Sequence, residues 1–271
     1  DMVVNVNPFF FFFLIPAAYF CDRVVESKVL SQALLSQMNV VVTSPRRMGK
    51  TALVDFVFQQ EVIQKDYFTI DVDILHTTCF KEFIYALGTA AYDKIASRSD
   101  KMKRLFIATL RSLSASFGYD PIQNTPTFDI KLGDITTPDY TLREIFNFME
   151  QADKRCLVVI DEFQKITKYP EKNIEAVLRS YIQKMSNANF VFAGSQRTVL
   201  EEMFLSSRRP FFQSAKLMQL DAIELSVYQD FVVGHFREGG KDINPEAVEV
   251  AYRSFRGVTL YMQRVLKNAY A

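Results

Sequence analysis

The stretch Ser44-Pro45-Arg46-Arg47-Met48-Gly49-Lys50-Thr51 decides the fold, because it stands between an apolar run at 39–43 and a helical pattern at 50–60. A short loop between a buried strand and a helix N-terminus is the usual setting for phosphate binding by backbone amides. In that setting Lys50 reaches the β- and γ-phosphates, and the Thr51 hydroxyl binds Mg²⁺. We therefore predict that residues 44–51 form a phosphate-binding loop.

One position departs from the usual pattern G-x-x-x-x-G-K-[ST], because Ser44 stands where the first glycine is expected. A Cβ atom restricts the backbone φ angle at that position. Serine is small, however, and we expect the end of a strand to accommodate it. We predict that the backbone of the whole loop, from Ser44 through Pro45, Arg46, Arg47, Met48 and Gly49, contacts the nucleotide.

The rest of the chain alternates apolar, β-branched runs with helical patterns. Near-continuous apolarity over four to six residues is typical of strands that a parallel sheet buries on both faces. Strand followed by helix, repeated, predicts an α/β fold with a central parallel sheet. The predicted strands are 39–43, 67–72, 156–160, 190–193 and 216–220, and the helices between them are 50–60, 80–96, 101–117, 141–152, 171–185 and 198–204.

Two regions break this alternation. Residues 118–140 contain three prolines and many Asn, Asp and Thr, which predicts an irregular loop with a short hairpin around 127–132. After residue 220 only helical patterns follow, separated by glycine-containing pairs. We therefore expect an α/β body at 1–221 and a small helical lid at 222–271. The lid helices are predicted at 225–237, 245–255 and 259–271.

Two carboxylates, Asp161 and Glu162, directly follow the apolar run 156–160. In a phosphate-loop enzyme, the first would hold Mg²⁺ through water and the second would polarise the attacking water. The alternative is an ordinary strand end, with Asp161 capping a helix and Glu162 in its first turn. The upstream phosphate loop favours the catalytic interpretation.

A polar exit also follows the run 190–193, where Ser195 or Arg197 is placed to sense the γ-phosphate. We expect the larger contribution from Arg197, because a charge-assisted hydrogen bond is stronger than one from a hydroxyl. The alternative is that Ser195 simply caps the next helix. Farther on, Arg208 and Arg209 supply either an arginine finger or an exposed basic turn.

Composition narrows the classes of function. The 271 residues carry 32 Lys and Arg against 31 Asp and Glu, so the formal net charge of +1 gives nucleic acid or anionic lipid no general attraction. Three scattered cysteines and two histidines predict reduced thiols and argue against a zinc site. The apolar stretch 8–20, with five consecutive Phe at 9–13, is too short to span a bilayer and is expected to pack on the body. We expect a cytoplasmic protein.

With these motifs, the chain resembles the AAA+-like ATPases of the archaeal-ATPase group, within the STAND branch of phosphate-loop NTPases. The resemblance implies Mg²⁺-dependent ATP binding and hydrolysis that switches the body against the lid, and it places Asp22 and Arg23 in a box beside the adenine. It also implies a protein partner or self-association; the alternatives are a signalling module with little turnover and a DNA-acting initiator. In this chain Thr259 replaces a lid proline and Gln213 stands where relatives often have Gly-Arg. We do not expect the family's winged helix within residues 1–271. The matching segments are 7–9, 19–23 with Glu26, 44–51, 160–164, 194–195, 209–214 and 257–259.

Overall fold

A computed structural model describes residues 7–10, 15–21, 23–120, 125–128 and 131–271, without the side chains of 17, 114–120 and 125–128. Its strands are β1 (Val40–Thr43), β2 (Tyr67–Asp73), β3 (Phe117–Asp120), β4 (Thr125–Phe128), β5 (Arg155–Asp161), β6 (Ala188–Gly194) and β7 (Lys216–Gln219). Its α-helices are α1 (Val24–Leu35), α2 (Lys50–Phe58), α3 (Glu61–Asp66), α4 (Phe80–Lys94), α5 (Asp100–Thr109), α6 (Pro138–Glu150), α7 (Ile174–Ile182), α8 (Arg197–Leu205), α9 (Leu225–Glu238), α10 (Pro245–Ser254) and α11 (Thr259–Tyr270). Among these helices none is long and apolar enough to cross a bilayer.

Five strands form one sheet in the order β2-β5-β6-β1-β7. The pairs β2–β5, β5–β6 and β6–β1 are parallel, as the continuous apolar runs predict. In this register Thr43 at the end of β1 pairs with Gly194, and Ile160 pairs with Phe192. The carboxyl ends of β1, β5 and β6 therefore lie side by side, and ligands of parallel α/β sheets bind beyond such ends.

The chain divides into two compact units. One comprises residues 33–43 and 61–218 and contains the sheet; the other comprises 1–32, 44–60 and 219–271. The phosphate-loop segment thus groups with the N-terminal and C-terminal segments. The division into a body at 1–221 and a lid at 222–271 remains a prediction.

The sheet-bearing unit has a phenylalanine cluster at its centre, which uses part of the high Phe content. Phe163 lies 4.6 Å from Phe192 and 5.4 Å from Phe211 between ring centroids, and Phe204 lies 5.0 Å from Phe192. All four rings are buried. Aromatic pairs at these separations add to the stabilisation that burial alone provides.

The second unit has its own core, formed by the three C-terminal helices and the start of the apolar stretch. Phe9 is buried with its ring 5.6 Å from Phe236 and 5.8 Å from Tyr270. The beginning of the predicted apolar arm therefore packs on α9 and α11. Residues 11–14 of that arm lie outside the described residues.

The structure differs from the prediction in several places. The hairpin pairs β3 with β4, so it begins ten residues before the predicted 127–132 and ends four residues before the end of that range. The predicted helix 101–117 ends as α5 at Thr109, and a 3₁₀ segment covers Arg111–Ser116. Helix α1 was not predicted. Its first two residues are exposed valines, so its apolar residues do not mark a single buried face.

Candidate nucleotide site

The loop 44–51 leaves the sheet at the end of β1 and enters α2 at Lys50. Two of its residues have left-handed backbones, Arg47 with φ of 68° and Gly49 with φ of 86°. Glycine adopts that conformation at little cost, which explains the residue at Gly49. The first-turn amides of α2 have no partners within the helix, as a phosphate site requires.

Two residues of the loop are more buried than the sequence suggests. Lys50 is only 7% exposed, so it is not the surface cation that its place in a loop suggests. Ser44 is buried as well, and its φ angle is not positive. A side chain at this position is therefore compatible with the backbone, as predicted for serine in place of glycine.

Arg23 holds the loop through hydrogen bonds to backbone carbonyl oxygens. Its guanidinium donates hydrogen bonds to the carbonyl oxygens of Met48, at 3.2 Å, and Asp221, at 2.7 Å. It also pairs with the Glu26 carboxylate at 2.8 Å, and its side chain is 5% exposed. These contacts assign Arg23 a positioning role within the protein; its predicted contact with the nucleotide remains a prediction. Asp22, predicted beside it, lies outside the described residues.

The N-terminus of α11 contacts the same loop. The Leu260 amide donates to the carbonyl oxygen of Arg47 at 3.1 Å. The Arg47 guanidinium donates to the Tyr261 hydroxyl and lies over the Tyr261 ring, 5.3 Å from its centroid. A hydrogen bond and a cation–π contact thus join one loop residue to the last helix of the chain.

A cavity of about 670 Å³ opens beside the loop. Arg47, Gly49 and Thr51 line it on the loop side, and Phe20 and Ile223 contribute to a largely apolar wall. The Phe20 ring is held by stacking on Phe56 at 4.3 Å. A cavity of this size, with an apolar wall and a phosphate-binding loop on one side, suits a small ligand that has an aromatic base and an anionic tail.

The acidic pair lies at the carboxyl end of β5. The Glu162 backbone is left-handed, with φ of 57°, and its amide donates to Oδ1 of Asp161 at 2.9 Å. Oε2 of Glu162 accepts hydrogen bonds from the Ser195 hydroxyl, at 2.9 Å, and from the Gln164 amide, at 2.5 Å. The carboxylate is therefore held in place from two sides.

Gln164 also belongs to this site, although the sequence did not predict it. It is almost fully buried, and a Cβ atom at position 194 would lie 2.0 Å from its Oε1 atom. Gly194 is thus required for the close approach of β6 to this side chain. Gln164 lies in the segment 160–164 that matches the family, and that match was the only indication in the sequence. Its own side chain carries no charge that would have drawn attention to it.

The two candidate sensors have different surroundings. Ser195 reaches Glu162, whereas Arg197 pairs with Glu201 one helical turn away, at 2.8 Å, with half of its side chain exposed. This geometry favours Ser195, against the expectation that Arg197 contributes more, because the Arg197 charge already has a carboxylate on its own helix. The effect of Arg197 on the affinity for ATP relative to ADP stays a prediction.

Of the two candidate arginine fingers, Arg209 pairs with Glu175 and lies 3.5 Å from Glu202, while Arg208 is exposed. Burial raises the pKa of Glu175, and the Arg209 charge opposes that effect. Breaking such a partly buried pair to reach a neighbouring site has a cost. Arg209 therefore has carboxylate partners within the chain, and a role for it as an arginine finger stays a prediction.

Comparison with known proteins gives the family of the chain. The sequence profile of an ATPase domain found predominantly in Archaea matches residues 20–265. The chain belongs to this family of ATPase domains. As a member of the archaeal-type ATPase family it binds nucleotide and hydrolyses ATP. No curated protein matches its sequence.

Three solved structures share the fold of this ATPase domain. A Walker-type ATPase of Pyrococcus abyssi aligns with a TM-score of 0.66 at 16% identity, over 94% of this chain and 69% of that one. The ORC2 protein of Aeropyrum pernix, solved in ADPNP–ADP complexes, aligns at 0.60 and 15%, over 96% and 63%. The ORC1 protein of the same organism, in complex with DNA, aligns at 0.58 and 13%, over 93% and 60%. The domain thus spans less than two thirds of the two ORC chains, and identities this low show the fold alone.

Proposed function

We propose that this ATPase domain hydrolyses ATP in a Mg²⁺-dependent reaction and uses it to switch the helical lid, 222–271, against the α/β body, 1–221. The observation that carries the proposal is the double contact of Arg47 with α11, through Leu260 and Tyr261. A loop that binds phosphate and also holds the lid helix can couple nucleotide state to the position of that helix.

The residues fit the predicted roles. In the proposal, Lys50 and the backbone of residues 44–51 hold the β- and γ-phosphates, and the apolar cavity receives the adenine. Glu162 polarises the attacking water, and Ser195 positions Glu162. A carboxylate held by two hydrogen bonds loses little entropy on aligning a water, which is what a general base requires.

The available oxygen ligands fit Mg²⁺. Thr51 offers a hydroxyl that lines the cavity, and Asp161 offers a carboxylate at the end of β5. Within the described residues no group of three or more His, Cys, Asp or Glu could hold a metal by itself. Magnesium commonly binds through one or two side-chain oxygens, with phosphate and water completing its six ligands. Bound there, it would neutralise charge on the phosphates.

The switch is testable by hydrogen exchange, with Glu162→Gln used to hold ATP unhydrolysed. We expect Mg·ATP and ADP to protect the amides of residues 44–51 alike, but to differ in the protection of residues 259–262. Tyr261→Phe is the matched variant: it removes the hydroxyl hydrogen bond but keeps the ring, so it should still hydrolyse ATP and show a smaller difference. Identical exchange of 259–262 without nucleotide, with ADP and with ATP would contradict the switch.

Two alternative uses of ATP hydrolysis lead to other outcomes. A signalling module with little turnover would show the ATP–ADP difference but hydrolyse less than one ATP per hour per chain. A DNA-acting protein would bind duplex DNA with an affinity that falls steeply with salt. The net charge of +1 does not favour DNA binding, and we propose a protein partner or self-association as the target of the switch.

A further inference from the structure

Helix α11 carries two buried polar atoms, on two residues beside the cavity, that have no hydrogen-bond partner. Gln263 is 5% exposed, lines the cavity, and leaves its Oε1 atom unpaired. Thr259, four residues earlier and thus on the same helix face, also lines the cavity with an unpaired hydroxyl. Their neighbours on this helix, Met262 and Leu266, are packed in the apolar core.

An unpaired amide oxygen in a buried position is costly, so its presence calls for a ligand. Burying a polar atom without a partner costs stability, and nearly all buried polar atoms in native proteins are paired. Methionine would fill the same volume without that penalty. The structure thus leaves the Gln263 amide oxygen without an internal partner, and Gln263 lines the same cavity as Gly49 and Thr51 of the phosphate loop.

We propose that Gln263 recognises the 6-amino edge of a purine base and so makes this site specific for adenine nucleotides; the proposal rests on ATP as the substrate. A carboxamide matches adenine in two hydrogen bonds, with its oxygen accepting from the 6-amino group and its nitrogen donating to a ring nitrogen. Rotation of the terminal amide interchanges its oxygen and nitrogen at little cost. The apolar wall at Phe20 and Ile223 then covers the faces of the base.

The test compares ATP with purine riboside triphosphate, which differs only in lacking the 6-amino group, by equilibrium titration of the full chain. Wild type should bind ATP about tenfold more tightly, since a site built for a hydrogen bond rejects the ligand that lacks it. Gln263→Met should bind both nucleotides equally. Gln229→Met is the matched control, because that amide on α9 already donates to the carbonyl oxygen of Pro245 at 2.9 Å; it should keep the preference.

Each outcome separates the proposals. A preference for ATP that persists in Gln263→Met, or the absence of any preference in wild type, overturns the role of Gln263 while leaving the ATPase function intact. No binding of either nucleotide to folded wild type would instead overturn the proposed function. Gln263→Asn, which shortens the amide by one methylene, provides a second variant should the methionine disturb the fold, and it too should lose the preference.

Discussion

The Ser195 hydroxyl lies 2.9 Å from Oε2 of Glu162. The residue that follows β6 thus donates a hydrogen bond to the carboxylate that follows β5. The two strands are neighbours in the sheet, with Ile160 paired to Phe192. The relationship follows from the parallel register, which brings the two strand ends to the same edge. We therefore expect Ser195 to influence the reaction through Glu162, without having to contact phosphate.

Ser195→Ala should slow ATP hydrolysis by about tenfold, the value of one hydrogen bond that orients the base, and should change ATP affinity less than twofold.

Arg197→Ala should leave the ratio of ATP to ADP affinity within twofold of wild type, because its guanidinium pairs with Glu201. Rapid-quench kinetics and equilibrium titrations measure the two effects. A tenfold loss of ATP over ADP affinity in Arg197→Ala would instead restore the arginine as the γ-phosphate sensor.

Lys50→Ala should abolish measurable ATP binding, because the cation that pairs with the phosphates is removed. Its burial adds an expectation: the free energy of unfolding should fall by about 1 kcal/mol, more than for an exposed loop lysine. Calorimetric titration and urea unfolding measure the two quantities. Unchanged ATP affinity in the folded variant would rule out the phosphate-loop interpretation.

Arg23→Met should lower the free energy of unfolding by about 2 kcal/mol, because two carbonyl oxygens lose a buried charged donor. ATP affinity should fall with it, since the Met48 carbonyl belongs to the loop. Glu26→Gln is the control, because the Glu26 side chain is 29% exposed and its loss should cost at most about 1 kcal/mol. If the free energy of unfolding fell equally in the two variants, Arg23 would stabilise the protein through its ion pair and not through the loop.

The cysteines should differ in reactivity. Burial raises the pKa of the Cys156 thiol to about 12, so at pH 8 only about one thiol in 10⁴ is ionised. Cys79 is partly exposed, whereas Cys21 and Cys156 are buried. Iodoacetamide should modify Cys79 first, and Cys156 only after urea unfolding, as read by peptide mass spectrometry. Modification of Cys156 at the rate of Cys79 in the folded chain would contradict its burial.

The sheet was predictable because its strands are buried on both faces, where continuous apolar runs are hard to mistake. All five predicted strands of the sheet lie within two residues of their observed ends, and β7 ends one residue before the predicted bound. The phosphate loop and the acidic strand end were predictable for a related reason, since both directly follow such runs. Local pattern therefore decided most of the α/β architecture.

The supports of the site were not predictable, because they join residues far apart in the chain. The hydrogen bond from Arg23 to the Asp221 carbonyl spans 198 positions, and that between Arg47 and Tyr261 spans 214. No periodicity marks such contacts. Gln164 and Gln263 were missed because a neutral amide carries neither a charge nor a motif, and only burial reveals that it needs a partner.

The central claim, that this chain hydrolyses ATP with Glu162 as the base, is tested most directly by single-turnover hydrolysis of γ-labelled ATP. Wild type and Glu162→Gln are compared with Mg²⁺ and with EDTA, after equal ATP affinity has been verified. The account predicts that Glu162→Gln binds ATP normally but hydrolyses it at least about 10²-fold more slowly, and that EDTA abolishes hydrolysis by wild type. Equal rates of hydrolysis by the two proteins in Mg²⁺ would contradict it.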